Sequence, residues 1–357
     1  MLGALGVLWK IRRFTSKKHK IKEKDQMGIR DSFTFLSPKI SSKILAFLLA
    51  FSLTAVGFEC LAWFSSAEEP GGDAPEDEVT ETVAPTEDAE KPKVFISEGA
   101  SGVGTAINGV SGVFVSITDR KILAEKSMSV SVKAGEISAF AVALTVSEAI
   151  KSQRAFISDE AVCPASAAKY ENYNLSADVF SIGKKMKIGD ILKCMLYQRG
   201  SSYAYSLAVH ISGSEEAFLA EMNALCKRIG ASQTVFTSVC GGEKDSGVTT
   251  AYDTAVIMKA FLTDSLLRDM FISEDYVTVE HGYKGSVYLV VKNDFFEKYC
   301  TENQSKNDGL EGGKIGFCGY SSWSVMLFVR EGKEYVSVAL ESKDAFSDAL
   351  IIYAAFS

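Results

Sequence analysis

The stretch 308–340 constrains the fold of this chain more than any other part of its sequence. It reads DGLEGGKIGFCGYSSWSVMLFVREGKEYVSVAL, in which a glycine-rich turn leads into Lys314. Two β-rich runs follow, 323–329 and 335–340, and a short turn containing glycine joins them, which predicts an antiparallel hairpin. Glycine lets a ligand approach the backbone closely, so we expect Lys314 and Gly316 to bind a ligand at the exposed edge of a sheet.

The first 43 residues form a basic segment ahead of a long apolar run. The chain has 357 residues and a net charge of −7, yet residues 1–43 carry eleven lysines and arginines against three acids. Residues 44–64 read ILAFLLAFSLTAVGFECLAWF, and about 20 apolar residues suffice to cross a bilayer. Positive charge before the run predicts a cytoplasmic N-terminus. Because this topology accounts for the basic segment, no nucleic-acid partner is expected.

Two interpretations of residues 44–64 stay open. An uncleaved signal anchor predicts a single-pass protein of the cell membrane with an extracytoplasmic C-terminal domain. A signal peptide would instead be cut near residues 65–67. Residues 65–92 hold four of the six prolines and many acids, which predicts a disordered linker. The composition is globular over 93–357, which predicts a single domain there.

The globular part begins with a hairpin pattern and an apolar helix. Residues 112–119 and 121–126 have the composition of two short strands, and residues 136–151 are apolar almost all round, as in a buried helix. Further helical patterns cover 188–197, a segment from Tyr203, 215–229 and 344–356. We predict that the first strand shares one antiparallel sheet with the two strands of the 308–340 stretch. The 136–151 helix should lie buried against that sheet.

From about Val110 to its last residue the chain resembles the serine-type D-alanyl-D-alanine carboxypeptidases, the low-molecular-weight penicillin-binding proteins of peptidase family S11. GGKIGF at 312–317 is similar to the family motif G-G-K-T-G-[YF], and TTAYD at 249–253 is similar to its S-T-A-Y-D. The resemblance implies an α/β fold of the penicillin-binding protein and β-lactamase-like transpeptidase type, with an antiparallel sheet packed against a helical cluster. It implies no cofactor, and it implies peptidoglycan stem peptides as the substrate class.

The catalytic motifs of this family are degenerate in the present chain. The family's central helix begins with P-A-S-x-x-K, in which the serine is acylated and the lysine takes its proton. In the same register this chain has Gly135 at the serine and Ser138 at the lysine, and the family's Ser-Gly-Asn turn becomes RGS at 199–201. A glycine has no oxygen to attack a carbonyl, so we expect no acyl transfer.

Other serines are open alternatives to the lost nucleophile. A literal PASAAK at 164–169 contains Ser166, but a polar stretch follows it instead of a buried helix, so a surface loop is expected. Ser201 or Ser202 would form a makeshift pair with Lys314. The expected role of both serines is to cap the following helix.

The family layout brings several residues that are far apart in the sequence to one site. These are Gly135, Arg199, Ser201 and Lys314. The cations Arg199 and Lys314 repel each other unless a negative group offsets them. We therefore predict that Glu136 pairs with one of the two, or that the site accepts an anionic ligand such as a peptide carboxylate.

The sequence gives no support to metal or histidine chemistry. The chain has three histidines and no Cys-x-x-Cys spacing, so neither a zinc site nor a catalytic histidine triad is expected. Six of the seven cysteines follow residue 93, and the sequence does not choose among their possible disulfide pairings. We expect Cys194 and Cys226 to be buried in helices.

Three functions are consistent with this sequence. The chain is a catalytically inactive relative that binds a peptidoglycan stem peptide or an envelope protein, an active carboxypeptidase with non-standard catalytic residues, or a structural envelope protein that does not use its cleft. A nucleophile paired with a lysine in the cleft would favour the active enzyme. An open cleft that keeps Lys314 for anions would favour the binding protein, and a cleft plugged by side chains would favour the structural role.

Overall fold

The computed structural model describes residues 94–97, 99–170, 180–242, 246–281, 287–299 and 309–355. The predicted basic segment, membrane span and linker lie outside the described residues, and so do Cys60 and Cys300. None of the helices in the described ranges is long and apolar enough to cross a membrane. Residues 90–357 form one compact unit.

Twelve strands are present among the described residues. They are β1 (Ser101–Gly102), β2 (Ser111–Ser116), β3 (Lys121–Lys126), β4 (Val132–Lys133), β5 (Glu160–Val162), β6 (Lys185–Lys187), β7 (Val248–Thr249), β8 (Tyr276–His281), β9 (Val287–Lys292), β10 (Leu310–Cys318), β11 (Ser321–Arg330) and β12 (Lys333–Ser342). Six of them form one sheet in the order β1-β3-β2-β12-β11-β10. β1 runs parallel to β3 and every other neighbouring pair is antiparallel. The predicted association of β2, β11 and β12 in one antiparallel sheet is confirmed.

Eight α-helices lie in the same ranges. They are α1 (Ser138–Lys151), α2 (Ile188–Tyr197), α3 (Ser201–Ser212), α4 (Glu215–Ile229), α5 (Ala251–Thr263), α6 (Ser265–Ile272), α7 (Asp294–Tyr299) and α8 (Ala345–Ala354). The helix that the sequence placed from Tyr203 begins two residues earlier, and the predicted closing helix is α8. Gly230, with a φ of 101°, ends α4 in the left-handed conformation.

The turn between β11 and β12 follows directly from its sequence. Arg330 pairs with Lys333, so the loop has two residues, Glu331 and Gly332. Both have positive φ, 52° and 75°. A two-residue loop with this backbone continues the natural twist of the strands, and glycine adopts it at little cost. The loop therefore fixes the register of the hairpin.

The predicted glycine-rich turn is present at Gly309, but the strand begins at Leu310, so the prediction of a turn is wrong for Gly312 and Gly313. Gly312 and Gly313 lie in the first half of β10, at the edge of the sheet. A Cβ atom on Gly312 would lie 3.1 Å from the Phe271 ring, and one on Gly313 would lie 2.3 Å from the Phe295 ring. These glycines are needed because two aromatic rings press onto the strand.

Helices cover both faces of the main sheet. α1 is buried from Ser138 to Ser147, as predicted, and it follows a 3-10 turn at Gly135–Ile137. The larger core lies between the sheet and α1 to α6. A smaller core, which includes Phe114 and Phe328, lies between the other face and α8. This α/β arrangement places the start of α1 beside β10.

Candidate functional site

Several predicted motif positions meet at one small cavity. Its volume is about 20 Å³, which is room for about one water molecule. The lining residues are Glu136, Ser138, Ala139, Met195, Gln198, Arg199, Gly200, Ala204, Val239, Cys240 and Lys314. A second cavity, of about 50 Å³, is bounded by Arg199, Lys314 and Phe317 among others. Of the residues that the family layout was expected to bring together, Arg199 and Lys314 line the first cavity, whereas Gly135 and Ser201 are not among its lining residues. The space is too small for a peptide.

Lys314 is buried inside the domain, so the prediction that it is exposed to a ligand at the edge of the sheet is wrong. The residue is 5% exposed. Its Nζ donates to the carbonyl oxygens of Met195, Leu196 and Gln198 at distances of 3.1, 3.0 and 3.1 Å. These carbonyls are at the C-terminal end of α2, where the helix itself offers no partners and the helix dipole favours a cation. The lysine therefore caps a helix.

Arg199 and Glu136 form the predicted ion pair across the cavity. Arg199 Nε donates to both carboxylate oxygens of Glu136, each at 2.9 Å. The Arg199 guanidinium carbon also lies 5.2 Å from the centre of the Phe317 ring, within the range of a cation–π contact. Arg199 thus connects the 3-10 turn before α1 with β10.

Gly135 occupies a position that a side chain does not fit easily. Its φ is 54°, in the left-handed region. A Cβ atom there would lie 3.2 Å from Cys318 Cβ and 3.5 Å from Trp323 Nε1. The indole of Trp323 also covers Gly316, where a Cβ atom would lie 2.3 Å from the ring. Glycine at 135 and 316 lets these elements approach each other closely.

The segment 238–241 closes the same site from the other side. Ser138, which is 1% exposed, donates from its hydroxyl to the carbonyl of Val239 at 3.0 Å. Gly241 lies so close to Gly135 that a Cβ atom on it would be 2.2 Å from the Gly135 carbonyl oxygen. Ser138 therefore holds this segment in place, at the position where the resemblance implies a lysine base.

Glu215 at the start of α4 anchors the closing segment. The residue is 6% exposed, and it accepts a hydrogen bond from the Val239 N–H at 3.2 Å. It also accepts from Lys169 Nζ and from the Tyr170 hydroxyl, each at 2.7 Å. Burial disfavours the charged Lys169, but the hydrogen bond and charge of Glu215 outweigh it and raise the pKa of that ammonium. The carboxylate thus connects the PASAAK segment to the closing segment.

The literal PASAAK match is on the surface, as expected. Ser166 and Lys169 lie on a 3-10 helix, Ala165–Tyr170, and both are exposed. Ser166 Oγ accepts a hydrogen bond from the Tyr205 hydroxyl at 3.0 Å. The Lys169 ammonium bonds to Glu215, so the pair does not have the arrangement of a nucleophile and its base.

The two serines after Arg199 do not cap α3, so that expectation is wrong. Gly200 is the N-cap residue, and no side chain caps this end. The Ser202 hydroxyl is buried without a hydrogen-bond partner among the described residues. The Ser201 carbonyl accepts from Cys240 Sγ at 3.2 Å. Burial, followed by the Glu215 charge, raises the pKa of the Cys240 thiol, so this cavity-lining sulfur is protonated at neutral pH.

Several residues that shape the site were not found by sequence reasoning. They are Glu215, Val239, Cys240, Cys318 and Trp323. Cys318 and Trp323 follow GGKIGF within a few residues, and this proximity is their only sequence signal. No such signal marks Glu215, Val239 or Cys240. No group of three or more potential metal ligands occurs in the part of the chain that the structure describes.

Comparison with known proteins adds to this geometry. Residues 99–343 match the sequence profile of the Peptidase_S11 family, described as D-alanyl-D-alanine carboxypeptidase. The chain is 24% identical over 223 residues to the D-alanyl-D-alanine carboxypeptidase DacF of Bacillus subtilis (strain 168), covering 62% of this chain and 54% of the relative. It is 22% identical over 219 residues to the D-alanyl-D-alanine carboxypeptidase DacC of Escherichia coli (strain K12), covering 60% and 52%. The chain spans about half the length of these curated relatives.

The fold also matches solved structures. A crystal structure of a D-alanyl-D-alanine carboxypeptidase from Mycobacterium tuberculosis superimposes with a TM-score of 0.56 and 19% identity. The match covers 73% of this chain and 92% of that structure. At this level of identity the similarity establishes the fold alone.

Proposed function

Because the chain belongs to the Peptidase S11 family of D-alanyl-D-alanine carboxypeptidases, we propose that it is a non-catalytic member whose former active site now holds the domain together. The observation that carries this proposal is the environment of Lys314. Its ammonium donates to three carbonyl oxygens at the end of α2, as many as it has protons, so a substrate carboxylate would compete with these acceptors. Gly135 offers no nucleophile, and the Ser138 hydroxyl donates to a carbonyl.

The size of the cleft supports a structural role over binding of a stem peptide. Side chains and the 238–241 segment leave two cavities, of about 20 and 50 Å³, which are too small for a peptide. Arg199, which bonds to Glu136 and contacts the Phe317 ring, lines both small cavities together with Lys314. We therefore favour the hypothesis of a structural envelope protein that keeps the family fold without using its cleft.

The sequence of the N-terminal region is the basis for a proposal about where the domain lies relative to the cell membrane. We propose that residues 44–64 anchor the protein in the cell membrane by a single pass, with residues 1–43 in the cytoplasm and the domain outside it. The mass of the protein purified from membranes tests this proposal. Retention of residues 1–66 supports the signal anchor, and a chain that starts near residue 66 supports cleavage instead.

Acylation by penicillin tests the loss of catalysis. The detergent-solubilised full-length protein is incubated with a fluorescent penicillin and, separately, with a D-Ala-D-Ala peptide, beside the E. coli carboxypeptidase DacC as positive control. We expect neither a covalent adduct nor release of D-alanine, because the covalent route needs a nucleophile and its base together. A stoichiometric adduct would overturn the proposal.

The site of any adduct would identify the alternative, an active carboxypeptidase with non-standard residues. Label on Ser166 or Ser201 would support the serines that the sequence offers, and label on Cys318 would support a thiol nucleophile beside Gly135.

Calorimetry with the same peptide separates a closed cleft from a binding cleft. We expect no heat of binding up to about 1 mM peptide, and saturable binding would support the stem-peptide hypothesis.

A further inference from the structure

Two tyrosine rings and a carboxylate surround the ammonium of Lys169, in the PASAAK segment that the proposed function does not use. Lys169 Nζ lies 5.0 Å from the centre of the Tyr170 ring and 4.7 Å from the centre of the Tyr205 ring. The two ring centres are 5.3 Å apart, so these three points form a nearly equilateral triangle. Nζ also lies 2.7 Å from Glu215 Oε2. Aromatic faces and an anion around one cation are the arrangement of an ammonium-binding site.

The two rings and the carboxylate are held by contacts that do not involve Lys169. The Tyr170 hydroxyl donates to both carboxylate oxygens of Glu215, each at 2.7 Å. The Tyr205 hydroxyl donates to Ser166 Oγ at 3.0 Å. Because these bonds remain when the lysine side chain leaves, the site keeps its form for another cation.

The carboxylate is buried, whereas the lysine reaches it from the surface. Side-chain exposure is 7% for Glu215 and 47% for Lys169. A buried carboxylate that loses its cation is strongly destabilising, so this site requires a positive group. Since the present cation is half exposed, a second cation has access to the same place from solvent. An amine from outside the chain can therefore take the position of the Lys169 ammonium.

We propose that Tyr170, Tyr205 and Glu215 form a binding site for a primary alkylammonium group, and that Lys169 occupies this site in the free protein as a built-in competitor. A ligand amine replaces one ammonium by another, so the charge of Glu215 stays neutralised throughout. None of the three residues that form the site lines either cavity at the candidate functional site. The proposal therefore stands whether or not penicillin labels the protein.

The contacts favour the lysine-type amine of a peptide as the ligand. A primary ammonium has three N–H groups, of which one or more donate to Glu215, whereas a quaternary ammonium has none. Glu216 follows Glu215 in α4 and is exposed, so a second negative charge adjoins the carboxylate. A phosphate beside the amine, as in a lipid headgroup, would be repelled by these charges. The Lys169 side chain itself shows that an unbranched alkyl chain reaches the site.

The test compares the full-length protein with two variants. Lys169→Ala empties the site, and Lys333→Ala is the matched control, since it removes an exposed lysine that pairs with Asp119. The melting temperature of each protein is measured against the concentration of Nα-acetyl-lysine amide at constant ionic strength. For Lys169→Ala we expect half-saturation at about 10 mM and a rise of about 4 °C at about 100 mM. The unmodified protein and Lys333→Ala should not respond over this range, because Lys169 fills the site in both.

Two further probes and a double variant test the chemistry of the site. Tetramethylammonium, which has no N–H, and O-phosphoethanolamine, which carries a phosphate, should each need an at least about tenfold higher concentration for the same rise in melting temperature. Lys169→Ala combined with Glu215→Gln should not respond to the lysine amide, because the new side chain carries no charge. Tighter binding of O-phosphoethanolamine than of the lysine amide would overturn the assignment to a peptide amine.

The proposal fails if the melting temperature of Lys169→Ala does not rise with the lysine amide. An equal rise in Lys333→Ala, in the unmodified protein or in the double variant would also overturn it. If Lys169→Ala does not fold in plain buffer, it is refolded with the lysine amide present. Recovery of folded protein that saturates with the amine would support the site, and failure to recover it while the double variant folds would overturn the proposal.

Discussion

Arg199 Nε lies 2.9 Å from both carboxylate oxygens of Glu136, and both residues line the small cavity at the candidate site. Side-chain exposure is 37% for Arg199 and 19% for Glu136, so solvent screens the pair. Partly exposed ion pairs of this kind contribute little to stability. We therefore expect the pair to contribute less to stability than the buried Lys314, which bonds to three carbonyls at the end of α2.

The first prediction concerns this pair. A double-mutant cycle with Arg199→Ala and Glu136→Gln should give a coupling free energy below about 1 kcal/mol in urea unfolding. The corresponding cycle on the exposed pair Lys333–Asp119, whose atoms are 2.9 Å apart, serves as the control. A coupling several times larger for Arg199 and Glu136 would show that the pair is a main support of the fold.

The second prediction concerns Lys314. Replacing Lys314 with Met removes the cation that caps α2 and leaves three carbonyls without this donor, so the free energy of unfolding should fall by about 3 kcal/mol. Lys333→Met, which removes an exposed lysine, should have a much smaller effect. Urea denaturation measures both variants. Equal stability of Lys314→Met and the unmodified protein would contradict the capping role.

The third prediction concerns the nucleophile position. Gly135→Ser should lower the free energy of unfolding by about 1 to 2 kcal/mol, because φ is positive and the new Cβ would lie 3.2 Å from Cys318 Cβ. Gly104→Ser is the matched control, since Gly104 has a φ of 45° and open space around its Cβ position. The loss of unfolding free energy in Gly135→Ser beyond that in Gly104→Ser measures the effect of the close contacts around Gly135.

The same variant should not recover activity. Even with Ser138→Lys added, Gly135→Ser leaves Lys314 bonded to α2 and the RGS turn in place of the family's motif. Released D-alanine and penicillin labelling are the measurements. Turnover in the double variant would show that the closed cleft opens once the nucleophile and base return.

The fold was predictable where local sequence decides the structure. The β11–β12 hairpin follows from two apolar runs around Glu331 and Gly332, and the burial of α1 follows from its apolar composition. The Arg199–Glu136 pair was also predictable, because the charges alone require a partner once the family layout brings them together.

The role of Lys314 was not predictable from its sequence neighbours. Its three acceptors lie 116 to 119 residues away, and only the packing of β10 against α2 brings them within reach. The glycines before it were misinterpreted for a similar reason. Gly312 and Gly313 provide room for two phenylalanine rings from distant helices, and glycine in a turn leaves the same signature in the sequence.

The last prediction concerns the acid stability that Asp264 provides. Its side chain is 4% exposed and accepts hydrogen bonds from Lys151 Nζ at 2.7 Å, from the Ser147 hydroxyl and from the Leu267 N–H at 3.3 Å. Burial would raise the pKa of this carboxyl, but the Lys151 and Ser147 hydrogen bonds outweigh burial and hold the pKa below its usual value. The carboxylate therefore connects the end of α1 to the start of α6 while it is charged.

The pKa of Asp264 is lower in the folded state than in the unfolded state, where an aspartate has a pKa near 3.9. The charged carboxylate therefore contributes its full stability above the unfolded pKa, and this contribution is lost as pH falls through the folded pKa. Asp264→Asn should thus lower the free energy of unfolding by about 2 kcal/mol at pH 7 and by progressively less below about pH 4. Asp119→Asn is the matched control, because Lys333 also lowers the pKa of the Asp119 carboxyl but does so at an exposed position. This substitution should change the free energy of unfolding little at every pH. Urea unfolding from pH 3 to pH 7 measures the free energy of unfolding of both variants. A loss of stability in Asp264→Asn that grows towards low pH would contradict the assigned role.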